Sequence, residues 1–483
     1  MIKTCQNFIN GKWTPPSSGK YYEIRNPADK DEIIGQFPLS EIQDVDQAVL
    51  AASKAFLAWS KLLPMERAAY VEKFTTLLDE KTNYLGECLC REQGKPLVEA
   101  IGEPSRGVKE CKYVIGEATR LQGLSLPSER QGVTNTVVRE PVGVIAAITP
   151  WNFPMLTPLR KTIPALIAGC TVVLKPSYDT PWCSVLLLEL FEKAGFPAGT
   201  VNLIMGRGSQ IGDALSGNPL VRGITFTGST IIGRQINKTA AANFAKVQLE
   251  MGGKNPAIVW DYANITGAAK SIAVAAFANA GQRCTAVSRV LVKRSQAEEL
   301  EKALIAIIKE YKVGPGLEKE NTIGPVVNKK AGDSIMEYIA KAREQGATIA
   351  IGGNQLKGGV YDKGYYIEST LVTNVTPDMA VAREEIFGPV LTVQKVDSFD
   401  EALEVANSSE YGLASCIFTD TQANIYRFMK ESQSGMVHIN HGSVSESFMP
   451  FGGIKMSGLG PFSIGATNKD FFMNTKVIYN QYI

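Results

Sequence analysis

One cysteine stands in a setting that suits chemistry. Cys284 lies in Ala280-Gly281-Gln282-Arg283-Cys284-Thr285-Ala286, beside a cation and a hydroxyl rather than the apolar neighbours of most core thiols. About one helix upstream, Leu249-Glu250-Met251-Gly252-Gly253-Lys254-Asn255-Pro256 offers a carboxylate next to glycines that let a ligand approach the backbone. A thiolate can attack an electrophilic carbon, and a carboxylate can serve it as a general base. A cysteine can equally be a small buried hydrophobe, so the rest of the chain must decide between the two. The only histidines are His438 and His441. No HExxH motif and no Cys/His cluster with zinc spacing is present, which argues against metal catalysis. A Cys–His dyad would need one of those two imidazoles at Cys284, and Glu250 is the more economical base.

Composition narrows the classes further. The chain has 483 residues, too many for one ordinary core, and 45% hydrophobic residues to fill two or three. Its net charge is +2 with no basic block, so neither nucleic acid nor an acidic membrane surface is an expected partner. No apolar stretch approaches the length of a membrane span, and Met1-Ile2-Lys3-Thr4-Cys5-Gln6 does not read as a signal peptide. Eight cysteines without CxxC pairs read as reduced thiols, and a cytoplasmic protein is expected.

The elements that must position Cys284 and Glu250 follow from the apolar pattern. Short strands near Phe8–Trp13 and Tyr21–Ile24 precede a helix from Val45 to Trp59, whose apolar face is Val45, Val49, Ala52 and Phe56. A helix from Pro64 to about Glu92, with Pro at its first position, and another over Pro96–Arg120 come next. From Pro141 the pattern becomes strand, helix, strand. Val142–Ile148, Thr171–Pro176, Val201–Met205 and Gly223–Thr227 are apolar runs separated by helical stretches, the signature of a doubly wound parallel sheet. Ligands of such sheets bind beyond the carboxyl ends of the strands. Thr149-Pro150-Trp151-Asn152, Lys175 and Gly228-Ser229-Thr230 fall there. Gly206-Arg207-Gly208 with Gly212 is spaced GxGxxxG, off the dinucleotide fingerprint, and reads as readily as a tight turn. Ser229 opens a helix, where it could hold a phosphate or simply cap the helix. A second α/β region begins after Asn255, with a buried helix over Ala273–Gln282 leading to Cys284 and a strand over Val287–Val292. Glu384-Glu385-Ile386-Phe387-Gly388-Pro389 reads as a turn between helix and strand. The terminal strand Lys476–Tyr479 needs a partner from another element or another subunit.

Seven motifs occur in the order in which the aldehyde dehydrogenase superfamily has them, and essentially the whole chain resembles that family. They are Thr149-Pro150-Trp151-Asn152-Phe153-Pro154, Leu174-Lys175-Pro176-Ser177, Phe226-Thr227-Gly228-Ser229-Thr230, Leu249-Glu250-Met251-Gly252-Gly253-Lys254, Gly281-Gln282-Arg283-Cys284-Thr285, Glu385-Ile386-Phe387-Gly388-Pro389 and Pro450-Phe451-Gly452-Gly453-Ile454-Lys455. The resemblance implies a Rossmann-like cofactor domain (residues 1–122 and 142–250), a second α/β catalytic domain (251–461) and a small β oligomerisation arm (123–141 and 462–483). In that arm a strand near Gly132–Glu140 and the C-terminal strand would serve a subunit interface, giving homodimers or homotetramers.

The resemblance also implies roles. Cys284 attacks the aldehyde, and the Asn152 amide with the Cys284 N–H holds the oxyanion. Such donors are typically worth about 3–4 kcal/mol of barrier each. Hydride passes to NAD or NADP, and Glu250 activates water to release the acid. Family members that pass the acyl group to coenzyme A usually lack this carboxylate, so Glu250 favours hydrolysis. For the cofactor, Lys175 matches the adenosine-ribose ligand, Ser229 the pyrophosphate contact, Glu385 the nicotinamide-ribose ligand, and Phe387 packs near the nicotinamide. Thr149, Pro150, Trp151, Ser177, Gly208, Phe226, Gly228 and Gly252 complete the expected contacts. Where NAD-preferring members carry Glu, this chain has Tyr178, so no carboxylate there repels a 2′-phosphate.

For the substrate, Arg160 matches the arginine with which succinate-semialdehyde dehydrogenases hold the distal carboxylate, and Ser445 matches their serine. Their second arginine is Ala278 here. Arg283 and Arg106 fall instead where phosphonoacetaldehyde and non-phosphorylating glyceraldehyde-3-phosphate dehydrogenases bind anions. A guanidinium fork suits a carboxylate, sulfonate or phosphate. The expected substrate is therefore a short aldehyde with an anionic far end, of the succinate semialdehyde, sulfolactaldehyde or phosphonoacetaldehyde type. The other readings are a broad-specificity or coenzyme A-acylating dehydrogenase, a cysteine hydrolase without nicotinamide, and an idle binding protein on the same fold. Coenzyme A dependence and dinucleotide reduction separate them.

Overall fold

The apolar run after Pro141 becomes Val144–Ile148, a fully buried strand inside an eight-stranded sheet. A computed structural model describes residues 3–482. The parallel core of this sheet runs Val201–Leu203, Thr171–Lys175, Val144–Ile148, Val221–Thr227, Lys246–Glu250. Antiparallel strands flank it, Asn7–Ile9 and Lys12–Thr14 on one side and Gly458–Leu459 on the other. Its strands are apolar throughout because both faces are covered. Ile145 and Ala147 enter one core cluster, while Val144, Ala146 and Ile148 enter another with Val45 and Val49 of the helix Ile42–Trp59. The chain order along the parallel strands reverses beside Val144–Ile148, which makes the crevice at their carboxyl ends a binding position.

A second sheet holds seven strands in the order Thr348–Ile351, Thr370–Thr373, Val390–Val396, Val287–Lys293, Asn255–Val259, Ala414–Phe418, Met436–Ile439. All but the first pair are parallel. Again alternate residues serve two cores: Ala257 and Val259 face one, Ile258 and Trp260 the other.

Two local readings change, and a third is resolved. The helix expected from Pro64 to about Glu92 is two helices, Pro64–Glu80 and Thr82–Gln93, broken at Lys81. The second lies against the helix Leu97–Glu117, where a Cβ at Gly86 would stand 2.5 Å from Ile101. The helix expected to run to Gln282 ends at Phe277. Asn279, Ala280 and Gly281 then take φ of +54°, +53° and +70°, a left-handed turn that disfavours residues with a Cβ. The terminal strand finds its partner within the chain: Met473–Gln481 pairs antiparallel with Val133–Pro141, which also pairs Leu124–Leu126. The stretch from Gly458 to Phe472 lies against the first sheet, with Phe471 and Phe472 in its core.

Candidate active site

A cavity of about 640 Å³ opens where the carboxyl ends of the first sheet meet the turn that follows Phe277. Cys284, Glu250 and Asn152 all line it. The three left-handed residues redirect the chain from the helix into this cavity, and only glycine fits at 281, where a Cβ would sit 2.1 Å from the Gly388 carbonyl oxygen. The loop carrying Cys284 is pinned from both sides. The Asn255 amide donates to the Cys284 and Ala286 carbonyls at 2.8 and 2.9 Å. Asn152 Nδ2 donates to the Gln282 carbonyl at 2.9 Å, which leaves its second N–H free.

Beneath Asn152 sits a pair that the sequence did not disclose. Lys95 Nζ donates to Glu103 at 2.8 Å and to the Asn152 carbonyl at 2.8 Å. Glu103 in turn accepts from the Met155 and Leu156 N–H groups at 2.8 and 2.9 Å. Both side chains are 1% exposed. Losing one partner of such a buried pair typically costs about 3–5 kcal/mol, so this pair holds the Asn152 loop stiffly.

Burial pushes the Cys284 thiol up to about 12, with the carboxylates of Glu250 and Glu385 adding to the rise and Arg283 and Arg160 opposing it. Glu250 ends the strand Lys246–Glu250 and is buried. Its carboxylate accepts from the Thr227 hydroxyl at 2.9 Å and from the Ser463 hydroxyl. Lys161 lies within the field of Glu250, buried and pushed down to about 8 by loss of solvent, with its ammonium donating to Thr225 at 3.1 Å.

The arginines divide into two kinds. Arg106, Arg160 and Arg283 all line the cavity, as does Ser445. Arg160 forms a side-on fork to Glu110 at 2.9 and 2.8 Å, and Arg106 reaches the same carboxylate at 2.8 Å. Two of the donors expected to hold substrate are thus already engaged, by an acid on the helix Leu97–Glu117. Arg283 differs: among the described residues it makes no ion pair, and its guanidinium donates only to the Ser443 carbonyl at 3.2 Å and the Thr285 hydroxyl at 3.4 Å. Burial lowers its affinity for its proton, and Glu99 at the cavity wall partly offsets that effect.

The remaining expected residues form two groups. Pro150, Trp151, Gly228, Ser229, Gly252, Glu385 and Phe387 line the same cavity. Phe387 has φ of +56° and meets Trp151 edge to face at 5.4 Å. Glu385 accepts from the Gly253 N–H at 3.0 Å and burial raises it to about 7. Ser229 occupies the cap position of the helix Thr230–Ala241, yet neither its hydroxyl nor that of Thr230 caps it; Thr230 donates to the Met456 carbonyl instead. Lys175, Ser177, Tyr178 and Gly208 cluster outside the cavity, at the end of the strand Thr171–Lys175. Gly208 opens the helix Gly208–Ser216, where a Cβ would lie 4.0 Å from Lys175 Nζ. Ser177 accepts from the Asp179 N–H at 3.3 Å. Phe226 is 4% exposed and packs in the core beneath Gly228, where a Cβ would meet its ring at 2.5 Å. It supports the floor and does not line it.

Arg207 was not singled out by its type or spacing. Its guanidinium lies 4.4 Å over the Tyr178 ring and donates to the Tyr178 hydroxyl at 3.0 Å, while Tyr178 itself stacks on Tyr22 at 4.0 Å. The residues present fit a dinucleotide. Among the described residues, Lys175 is buried with only the Pro176 carbonyl as partner, at 3.2 Å, and the Thr149 hydroxyl is buried with no partner. At Gly252 a Cβ would stand 2.2 Å from Glu385. Unspent donors and a floor without side chains suit ribose and phosphate. Among the described residues no cluster of His, Cys, Asp and Glu could hold a metal ion.

Comparison with known proteins agrees with this geometry. A family model described as the aldehyde dehydrogenase family matches residues 13–478. A protein named alpha-ketoglutaric semialdehyde dehydrogenase, from Bacillus subtilis, is 40% identical over 477 residues, covering 99% of this chain and 98% of its own length. A succinate-semialdehyde dehydrogenase (NADP+) from Escherichia coli is 37% identical over 455 residues, covering 94% of this chain and 93% of its own. The solved structure of betaine aldehyde dehydrogenase from Staphylococcus aureus in complex with NAD+ superposes with a TM-score of 0.96 at 34% identity, covering 99% of this chain and 95% of that one.

Proposed function

The chain belongs to the aldehyde dehydrogenase family, and we propose that it oxidises a short aldehyde with an anionic far end to the carboxylic acid, using NAD or NADP. The observation that carries the anionic end is Arg283, a guanidinium that makes no ion pair among the described residues and lines the same cavity as Cys284. Arg160 and Arg106 add positive field, although Glu110 engages both. The two semialdehyde dehydrogenases compared above support the same substrate class.

Cys284 gives up its proton to solvent, against the opposing field of the Glu250 carboxylate, which is left available as the base for the later hydrolysis. Sulfur then bonds the aldehyde carbon. The free N–H of Asn152 and the N–H of Cys284 receive the oxyanion. When bound, the nicotinamide supplies a hydride acceptor. Trp151, Phe387 and Glu385 line the cavity where the nicotinamide end would lie, and Lys175, Ser177 and Arg207 would hold the far ribose. Arg207 and the absence of an acid at 178 favour NADP. The thioester left on Cys284 is hydrolysed by water that Glu250 deprotonates. The eight cysteines are all free thiols, which suits a cytoplasmic enzyme. The exposed arm Leu124–Leu126, Val133–Pro141 and Met473–Gln481 suits assembly into dimers or tetramers.

The test is a screen of carboxylate-, sulfonate- and phosphonate-bearing aldehydes with each dinucleotide. The expected result is reduced dinucleotide and free acid in equal amounts without coenzyme A, abolished in Cys284→Ser. Oxidation only with coenzyme A, or full turnover in Cys284→Ser, would contradict it.

A further inference from the structure

Glu250 is gripped from below by a residue outside the motifs. Ser463 lies in the segment after the edge strand Gly458–Leu459, which itself pairs with the strand of Glu250. Its backbone is fixed by two hydrogen bonds to Phe451, at 2.9 and 2.7 Å. That hydroxyl is buried and has two acceptors in range, the Glu250 carboxylate and the Phe451 carbonyl at 3.2 Å. A hydroxyl has one proton to give and two lone pairs to offer. Thr227, opposite Glu250 in the sheet register, donates to the other carboxylate oxygen at 2.9 Å.

We propose that Ser463 is a positioning residue for thioester hydrolysis, holding Glu250 in both of its protonation states. While Glu250 is ionised, Ser463 donates to it. Water then adds to the thioester carbon and gives its proton to Glu250. Ser463 now accepts from the new carboxyl O–H and turns its own proton to the Phe451 carbonyl. The C–S bond breaks, the acid leaves, and the proton passes from Glu250 to the Cys284 sulfur, with Ser463 turning back. A group fixed by partners in one state only would have to break a buried hydrogen bond at each turnover. Arg160 faces Glu250 as a permanent cation that cannot accept its proton, and Lys161, whose charged form burial disfavours, is turned to the Thr225 hydroxyl.

This inference rests on Glu250 as the base for hydrolysis, and the experiment separates the two. The full-length enzyme is mixed with oxidised dinucleotide and an aldehyde that it turns over, quenched in acid, and weighed intact for acyl adduct on Cys284. Ser463→Ala is expected to keep the rate of the first dinucleotide reduction, lose about tenfold in steady turnover and accumulate acyl-enzyme. Ser463→Thr keeps a hydroxyl and is expected to restore turnover to within about threefold, whereas the isosteric Ser463→Val does not. The Thr and Val pair gives the same reading if the alanine variant does not fold. Glu250→Gln serves as control. Acyl-enzyme in Glu250→Gln but none in Ser463→Ala or Ser463→Val overturns the role of Ser463 alone. No acyl-enzyme in either overturns the hydrolytic role of Glu250. Equal loss of hydride transfer and turnover in Ser463→Ala and Ser463→Thr makes Ser463 structural only and also overturns the proposal.

Discussion

Cys284 is a thiol that its surroundings keep protonated. With the thiol pushed up to about 12, roughly one part in 100,000 is thiolate at pH 7. Alkylation of the free enzyme by iodoacetamide should therefore rise about tenfold per pH unit between about pH 7 and pH 10, with no plateau. Glu250 is the largest charged contributor to that rise. Removing its charge lowers the thiol's pKa and increases the thiolate fraction. Glu250→Gln should speed alkylation at a given pH by about three- to tenfold. A plateau below about pH 8, or a slower Glu250→Gln, would contradict this electrostatic account. At this scale the motifs made Cys284, Glu250 and Asn152 legible, because each is a reactive or polar group placed beside glycines or at the end of an apolar strand, where a packed core has no use for it. The engagement of Arg160 and Arg106 was not legible. It depends on Glu110, which shares a helix with Arg106 but lies 50 positions from Arg160 in the chain. Ser463 was hidden for the same reason: it meets Glu250 across 213 positions.

At the scale of elements, the strand-and-helix alternation was readable because both faces of each parallel strand are buried, so apolar runs have no polar interruptions. Two breaks were not. The stop at Lys81 leaves the apolar rhythm intact, with Leu78 and Leu85 both buried on either side of it. The turn at Asn279 and Ala280 carries an alanine at positive φ, which its type does not announce, ahead of Gly281, which lies against the Gly388 carbonyl. Arg207 belongs to this scale too. It stands at the start of the helix Gly208–Ser216, beyond the end of the strand Thr171–Lys175, and the Tyr178 ring holds it in place. If it receives the 2′-phosphate, Arg207→Ala should lower kcat/KM for NADP by about ten- to a hundredfold and leave NAD within about twofold, since a hydrogen bond to a charged group contributes about 1.5–3 kcal/mol. An equal fall with both dinucleotides would assign Arg207 to the shared part of the cofactor or to the fold.

At the scale of the whole molecule, the cavity exists because two α/β units meet at it. Glu250 and Asn152 come from the loops and strand ends of the first sheet, and Cys284 and Arg283 from the turn leading into the strand Val287–Lys293 of the second. Cys284 and Arg283 are adjacent residues of one loop. If Arg283 holds the anion as proposed, that adjacency limits how far the anion stands from the aldehyde and favours short substrates. The most direct measurement compares kcat/KM for an acidic aldehyde and a neutral aldehyde of matched length, in the wild type and in Arg283→Ala. The expected result is a fall of about ten- to a hundredfold for the acidic aldehyde, as for loss of a charged hydrogen bond of about 1.5–3 kcal/mol, with the neutral aldehyde changed by less than about threefold. Equal losses on both aldehydes, or no loss on the acidic one, would contradict an anion held by Arg283.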